Sequence, residues 1–143
     1  MTAARSSVDH RIWIATFAKR SIRIFGGASR NAFVAVTSVD EIGGFYTLAA
    51  TSIALKVLAP EWTRKLPRYP FVPSALLGRL AVAKAHQGRR LGAALVADAL
   101  LRAANSDLAA HFLIVDAKDE NAAMFYEYLG FERLEDGRLI RAV

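Results

Sequence analysis

Residues 76–104 read LLGRLAVAKAHQGRRLGAALVADALLRAA, and this stretch predicts a strand, a loop and a helix in that order. Residues 77–83 are apolar apart from Arg79, which is typical of a buried strand. From Ala93 onward apolar side chains recur at helical spacing, with Asp98 and Arg102 on the more polar side. The loop at residues 86–92 is therefore expected to join a strand to an amphipathic helix.

This loop has the properties of an anion-binding turn. The start of a helix leaves backbone N–H groups unpaired and carries the positive end of the helix dipole. Gly88 and Gly92 lack the Cβ atoms that would hold a ligand away from the backbone, and Arg89 and Arg90 add positive charge. The turn suits a phosphate or pyrophosphate, although a plain connection with solvated arginines fits the same residues. It is not a P-loop, because no Gly-Lys-Ser/Thr is present.

Two motifs resemble the GCN5-related N-acetyltransferase (GNAT) family. Gln87 and Gly92 before a helix are similar to that family's acetyl-CoA loop, Gln/Arg-x-x-Gly-x-Gly/Ala, with Arg90 in place of the middle glycine and Gly88 available to supply flexibility. About thirty residues later, residues 121–131 (NAAMFYEYLGF) resemble the family's late helix, with its asparagine, Phe-Tyr pair and terminal Gly-Phe. The resemblance implies a single GNAT domain over residues 1–143. Its fold would be α/β (α+β), with a mixed, mostly antiparallel sheet that is splayed at the acetyl-CoA site and flanked by helices.

Composition limits the other classes of protein. The chain of 143 residues is 54% hydrophobic and 22% charged, which is typical of one folded domain. It has no cysteine, so disulfides, cysteine nucleophiles and thiolate metal sites are excluded, and its three histidines show no metal-ligand spacing. No apolar run is long enough to span a membrane and no signal peptide is evident, so we expect a cytoplasmic protein that uses no metal.

Positive charge is concentrated in two segments. The formal net charge is +6, with six cations against one anion in residues 1–30 and nine against two in residues 56–102. The phosphates of CoA would account for part of this excess. A polyanionic second substrate such as RNA is favoured for the rest, and a generally basic, solvated surface is the alternative.

Turn and cap signals divide the remainder into short elements. Four prolines between residues 60 and 73 predict an irregular loop. The predicted elements are a helix over residues 12–25, a hairpin of residues 31–36 and 42–50, a helical turn within residues 61–65, a strand over residues 111–117, a helix from Asp119 or Glu120 to Gly130, and a hairpin of residues 131–134 and 139–143.

The resemblance also implies roles for individual residues. Tyr126 would be the catalytic acid that protonates the departing CoA thiolate, whereas packing of Phe125 and Tyr126 in the core is the competing interpretation. Backbone groups of the strand would follow the pantetheine arm, those of the turn would hold the pyrophosphate, and Asn121 would hydrogen-bond the cofactor. The implied cofactor-binding residues are Leu80, Ala81, Val82, Gln87, Gly88, Arg89, Arg90, Leu91, Gly92, Ala93, Asn121 and Phe125.

A narrower branch of the family is similar over residues 12–140. Residues 29–34, 43–50, 73–82 and 98–102 resemble type II toxin–antitoxin toxins that acetylate the α-amino group of aminoacyl-tRNA and block translation. This implies acetyl-CoA as cofactor, aminoacyl-tRNA as substrate, a homodimer, and a DNA-binding antitoxin of ribbon–helix–helix type. Acetylation of a small-molecule amine or of a protein N-terminus or lysine remains an alternative, as does a non-catalytic degraded toxin. The residues expected to face tRNA are Lys19, Arg20, Arg23, Arg30 and Arg79.

Overall fold

A computed structural model describes residues 21–23, 30–36, 41–88, 90–107 and 109–143. Strands and helices alternate from residue 71 to residue 133, and a terminal strand follows. In chain order the elements are β1 (Ser21–Arg23), β2 (Arg30–Val36), β3 (Ile42–Ala54), α1 (Pro60–Thr63), β4 (Phe71–Val82), α2 (Leu91–Ala104), β5 (Phe112–Val115), α3 (Glu120–Tyr128), β6 (Glu132–Arg133) and β7 (Leu139–Ala142).

The strands form a mixed sheet. Hydrogen-bonded neighbours follow the order β1-β2-β3-β4-β5-β7-β6. The pairings β1–β2, β2–β3, β5–β7 and β6–β7 are antiparallel, whereas β4 and β5 are parallel. The predicted mixed, mostly antiparallel sheet with accompanying helices is therefore confirmed.

The chain divides into two compact units, the first containing residues 1–49 and 78–100 and the second residues 50–77 and 101–143. In the first unit β2 and β3 pair with Phe33 opposite Tyr46, and these two rings stack with centroids 5.1 Å apart. Helix α2 contributes Leu91, Leu95 and Ala99 to this core, each at most 3% exposed. Their four-residue spacing places them on one helical face, which explains why this segment folds as an amphipathic helix.

The second unit has a core of aliphatic and aromatic side chains. All four residues of β5 are buried, which is typical of a strand with neighbours on both sides and both faces covered. Trp62 of α1 meets Phe112 edge-on, with ring centroids 5.2 Å apart. The buried cluster consists of Ile53, Leu58, Val72, Phe112, Ile114 and Ile140.

Two predictions about local structure are wrong. Residues 21–23 lie in β1, not in a helix, because they pair with residues 31–33 across an antiparallel ladder; the rest of the predicted helix over residues 12–25 lies outside the described residues. Pro73 lies within β4 and not in a loop. Its missing N–H is tolerated, and its carbonyl accepts a hydrogen bond from the His111 N–H at 2.9 Å.

Several other predictions are confirmed. Helix α3 begins after Asp119, which accepts a hydrogen bond from the Ala122 N–H as its N-cap, and β6 and β7 form the terminal hairpin. Helix α2 begins at Leu91, two residues earlier than expected. Within the described residues, no helix is long and apolar enough to cross a membrane, and no cluster of three or more histidine or acidic side chains could bind a metal ion. The single domain over residues 1–143 stays a prediction.

Candidate active site

The end of β4 is the first part of the candidate site. Its parallel register with β5 runs from Ala75 to Leu77, while the strand itself continues to Val82. Residues 72 and 74–77 are mostly buried, whereas Gly78, Arg79 and Ala81 are exposed. The last five residues of β4 thus leave the buried environment of its first half.

Close contacts with β3 fix the backbone of this exposed half. The Ala83 N–H donates to the Gly43 carbonyl at 2.7 Å, and the Arg79 N–H donates to the Thr47 hydroxyl at 2.9 Å. A side-chain oxygen thus accepts from the β4 backbone at this point. A Cβ at Gly78 would lie only 2.7 Å from Thr47 Oγ1, so this approach requires glycine.

Gly44 brings β3, β4 and the start of α2 together within the first unit. A Cβ at this position would lie 2.8 Å from the Ala81 carbonyl oxygen and 3.2 Å from Leu95 Cδ1. These distances are too short for any other residue without movement of a strand or the helix. Sequence reasoning did not assign a role to Gly44, although a glycine within an apolar strand can signal a close approach.

The loop between β4 and α2 is pinned to the strand that precedes it. Gln87 Nε2 donates to the Val82 carbonyl at 3.1 Å, after a 3₁₀ turn at Lys84–His86. Gly88 has φ of +79° and Arg90 has φ of +59°. Arg90 stands where the acetyl-CoA loop pattern has its middle glycine, and it adopts the left-handed conformation that glycine adopts without steric cost.

Backbone N–H groups converge at the start of α2. Its first intrahelical hydrogen bond runs from the Ala94 N–H to the Arg90 carbonyl at 3.1 Å. The N–H groups of residues 90–93 precede that bond, so helix geometry gives them no intrahelical acceptor. Together with the helix dipole and the exposed Arg90, they can bind an anion of the size of a phosphate.

Helix α3, in the second unit, carries the other predicted residues. Arg133 donates to Glu120 and Glu127 at 2.5 and 2.7 Å, and this pairing lowers the pKa of Glu120. At the other end of the helix, Arg141 Nη1 donates to the Leu129 carbonyl at 2.6 Å. These contacts and the Asp119 cap hold both ends of a helix of only nine residues.

Tyr126 lies on the buried face of α3. It is 7% exposed and lies edge-on between Phe125 and Phe131, with ring centroids 5.2 and 5.4 Å away. Burial raises the pKa of the Tyr126 phenol above its ordinary value, so the group stays protonated at neutral pH. Among the described residues, none accepts a hydrogen bond from the Tyr126 hydroxyl. The phenol can therefore act as a proton donor.

The predicted residues fall into two groups. Within the first unit, residues 80–82 end β4, Gln87 and Gly88 form the loop, and residues 90–93 begin α2. The Leu91 side chain is buried, which leaves its backbone for a ligand. In the second unit Asn121 and Phe125 lie one turn apart on α3, and Tyr126 follows.

Not every predicted residue is described. Arg89 lies outside the described residues, as do Lys19 and Arg20 of the predicted tRNA surface. Arg23 and Arg30 belong to β1 and β2, but their side chains lie outside the described part.

Residues 9–133 match the acetyltransferase (GNAT) domain, and the chain therefore belongs to this family. Its similarity extends to particular members. The tRNA-acetylating toxin of Mycobacterium tuberculosis is 40% identical over 91 residues, which are 62% of this chain and 54% of that protein. The matching region thus spans about half the length of this curated relative.

Solved structures of the toxin AtaT are similar throughout most of the chain. AtaT complexed with acetyl-methionyl-tRNAfMet superposes with a TM-score of 0.71 and 31% identity, covering 79% of this chain and 71% of that one. A tyrosine-to-phenylalanine variant of AtaT bound to the C-terminus of the antitoxin AtaR and acetyl-CoA gives a TM-score of 0.63 and 28% identity, covering 79% and 68%. The resemblance read from the sequence is confirmed at the level of family and fold.

Proposed function

We propose that this protein is an N-acetyltransferase that transfers the acetyl group of acetyl-CoA to the α-amino group of aminoacyl-tRNA. The observation that carries the proposal is the likeness to AtaT in complex with an acetylated aminoacyl-tRNA, over 79% of this chain. The protein would be the toxin of a type II toxin–antitoxin pair. It would block translation, because the acetylated amine cannot attack the ester of peptidyl-tRNA to form a peptide bond.

Acetyl-CoA fits the chemistry of the first unit. Its pyrophosphate is an anion, and the N–H groups of residues 90–93 with the cations Arg89 and Arg90 are suitable partners. Backbone groups of Leu80, Ala81 and Val82 would hydrogen-bond the amide-containing pantetheine arm. Gln87 would hold the loop against the strand through its bond to Val82.

The proposed reaction requires the protein to position the two substrates and to donate one proton. Acetyl-CoA supplies an activated thioester; the neutral amine attacks its carbonyl carbon, a C–N bond forms and the C–S bond breaks. Tyr126 donates its proton to the leaving thiolate, and the amine releases a proton to solvent. The raised pKa of Tyr126 keeps the donor protonated at the pH at which the amine is neutral enough to react. Asn121 and Phe125 on the same helix would contact the cofactor.

The test compares two tyrosines on one helix. Tyr126→Phe removes the proton donor and should lower kcat by about 10²- to 10⁴-fold while acetyl-CoA still binds. Tyr128→Phe is the matched control, because Tyr128 is 86% exposed and should leave kcat unchanged. The assay follows labelled acetyl-CoA and a mixture of charged tRNAs, with recovery of acetyl-aminoacyl-tRNA.

Two outcomes would contradict the proposal. The wild-type protein acetylating no charged tRNA in the mixture would exclude this function. Efficient acetylation of free amines with little dependence on salt would instead favour a small-molecule acetyltransferase.

The same likeness supports proposals about partners. An antitoxin partner for this chain is supported by AtaT bound to the C-terminus of the antitoxin AtaR and by the AtaT–AtaR complex bound to DNA. That the antitoxin would be a DNA-binding protein of ribbon–helix–helix type is what the resemblance of the sequence implies. We expect the toxin to form a homodimer and to act in the cytoplasm, where charged tRNA is found. Co-expression with the product of the adjacent reading frame should restore growth and yield a stable complex on size-exclusion chromatography.

A further inference from the structure

The second unit contains a groove of about 720 Å³, and none of the residues that line it belongs to α3. It is formed by the end of β3, the 3₁₀ turn Leu55–Val57, helix α1 and the start of β4. The Leu55 N–H donates to the Pro70 carbonyl at 2.9 Å and ties its two sides together. We call it the cationic groove, after its lining residues Lys56, Arg64 and Arg68.

The side chains that line the cationic groove carry positive charge and no negative charge. Three of its lining side chains are cationic and none is acidic. Among the described residues, no carboxylate forms an ion pair with Lys56, Arg64 or Arg68. Three neighbouring cations repel one another, so the groove favours a ligand that carries several negative charges.

Exposed aromatic rings accompany these cations. Phe71 lines the groove and is 60% exposed, and Tyr69, which lies between the lining residues Arg68 and Pro70, is 68% exposed. Removing either ring from water would be favourable, yet neither ring packs into the core of the second unit. Cations together with accessible aromatic rings are the combination with which proteins hold the phosphates and stack the bases of single strands.

We infer that the cationic groove binds a single-stranded segment of RNA, with phosphates on Lys56, Arg64 and Arg68 and a base stacked on Phe71. Double-stranded RNA presents its bases edge-on within a helix, so it offers no free base face to Phe71. On the proposed function, on which this last step rests, the segment is the unpaired end of the charged tRNA. The groove would then position the substrate through contacts that lie outside the acetyl-transfer chemistry.

Binding of a labelled single-stranded oligouridylate, followed by fluorescence anisotropy over a range of salt concentrations, tests this inference. Arg64→Gln combined with Arg68→Gln should flatten the slope of log K against log salt by about 1.4, since each single-strand phosphate contact contributes about 0.7. At 0.1 M salt this corresponds to about 25-fold weaker binding. Phe71→Ala should weaken binding by about 5- to 150-fold without changing the slope.

The chain offers a matched control of equal charge. Lys65→Gln combined with Lys118→Gln removes two exposed cations of the same unit that do not line the groove, and it should leave affinity and slope nearly unchanged. All the substituted side chains are exposed, and circular dichroism checks that each variant is folded.

Three outcomes would overturn the inference. The first is equal losses in the groove and control variants, which would indicate a diffuse basic surface. The second is tighter binding of a duplex of the same length, and the third is full displacement by an oligoglutamate peptide, which would indicate a protein partner.

A second substrate distinguishes failure of the proposed function from failure of the groove assignment. An aminoacyl-adenosine carries the reactive amine without the tRNA backbone, so the groove variants should acetylate it at the wild-type rate. If the wild-type protein binds RNA through the groove but acetylates neither substrate, the function fails and the groove assignment stands.

Discussion

Arg90 provides a sharp test of how the anion-binding turn is built. Its φ of +59° lies in the left-handed region, which costs a residue with a Cβ about 1–2 kcal/mol. Arg90→Gly and Arg90→Ala both remove the guanidinium, but only glycine removes the Cβ. Glycine loses about 0.5–1 kcal/mol more backbone entropy on folding, so the glycine variant should be more stable than the alanine variant by about 0.5–1 kcal/mol.

The assay is urea denaturation of both variants, together with a control variant within α2. Ala97 is exposed within α2, and there the ordinary helix preference should make Ala97→Gly less stable than wild type by about 1 kcal/mol. The glycine effect should thus have opposite signs at two positions seven residues apart. In thermal unfolding, a difference of about 1 kcal/mol shifts Tm by about 2–4 °C in chains slightly longer than these 143 residues.

Binding of acetyl-CoA, measured by calorimetry, completes this test. Because the backbone N–H groups are the same in both variants, their affinities should be equal. The reasoning is refuted if Arg90→Ala is as stable as Arg90→Gly, since the left-handed conformation would then carry no cost.

Three further predictions concern the elements around the two groups of site residues. Gly44→Ala should cost about 1–3 kcal/mol in urea denaturation and weaken acetyl-CoA binding, because its Cβ would displace the Ala81 carbonyl; an unchanged midpoint would contradict this packing. Asp119→Ala should cost about 1 kcal/mol in thermal unfolding and Asp119→Asn much less, whereas equal losses would show that capping is not the cause. Arg133→Gln should raise the pKa of Glu120 in an NMR titration, because Arg133 lowers it in the wild type. The stability from this pair is present above the unfolded-state pKa of Glu120 and is lost as the pH falls, so the variant should lose less stability on acidification, and an unmoved titration would refute the pairing.

The sequence predicted the elements whose signals are local. Apolar spacing indicated α2, and Asp119 with Gly130 marked the ends of α3, since capping depends on residues a few positions apart. The segment at residues 21–23 was missed because its strand exists through pairing with β2, a partner that periodicity does not reveal. Pro73 was misread for a similar reason, because its tolerance depends on which neighbour needs its missing N–H.

The candidate site was predictable in kind but not in conformation. Motif spacing selected the turn before α2 and the tyrosine of α3, yet nothing in the letters shows that Arg90 keeps the backbone conformation of the glycine it replaces. The cationic groove was visible only as an excess of charge in residues 56–102. Its shape depends on contacts such as that between Leu55 and Pro70, fifteen positions apart, which a charge pattern does not contain.

The prolines between residue 60 and residue 73 affect the entropy of ligand binding to the cationic groove. Each proline fixes its backbone angle φ in the unfolded chain as well as in the folded one. The segment therefore loses less conformational entropy when it folds. Because the backbone of this segment is already restricted, ligand binding should cost little additional backbone entropy. Association of the ligand should accordingly be fast and limited by encounter, with no slow rearrangement of the protein.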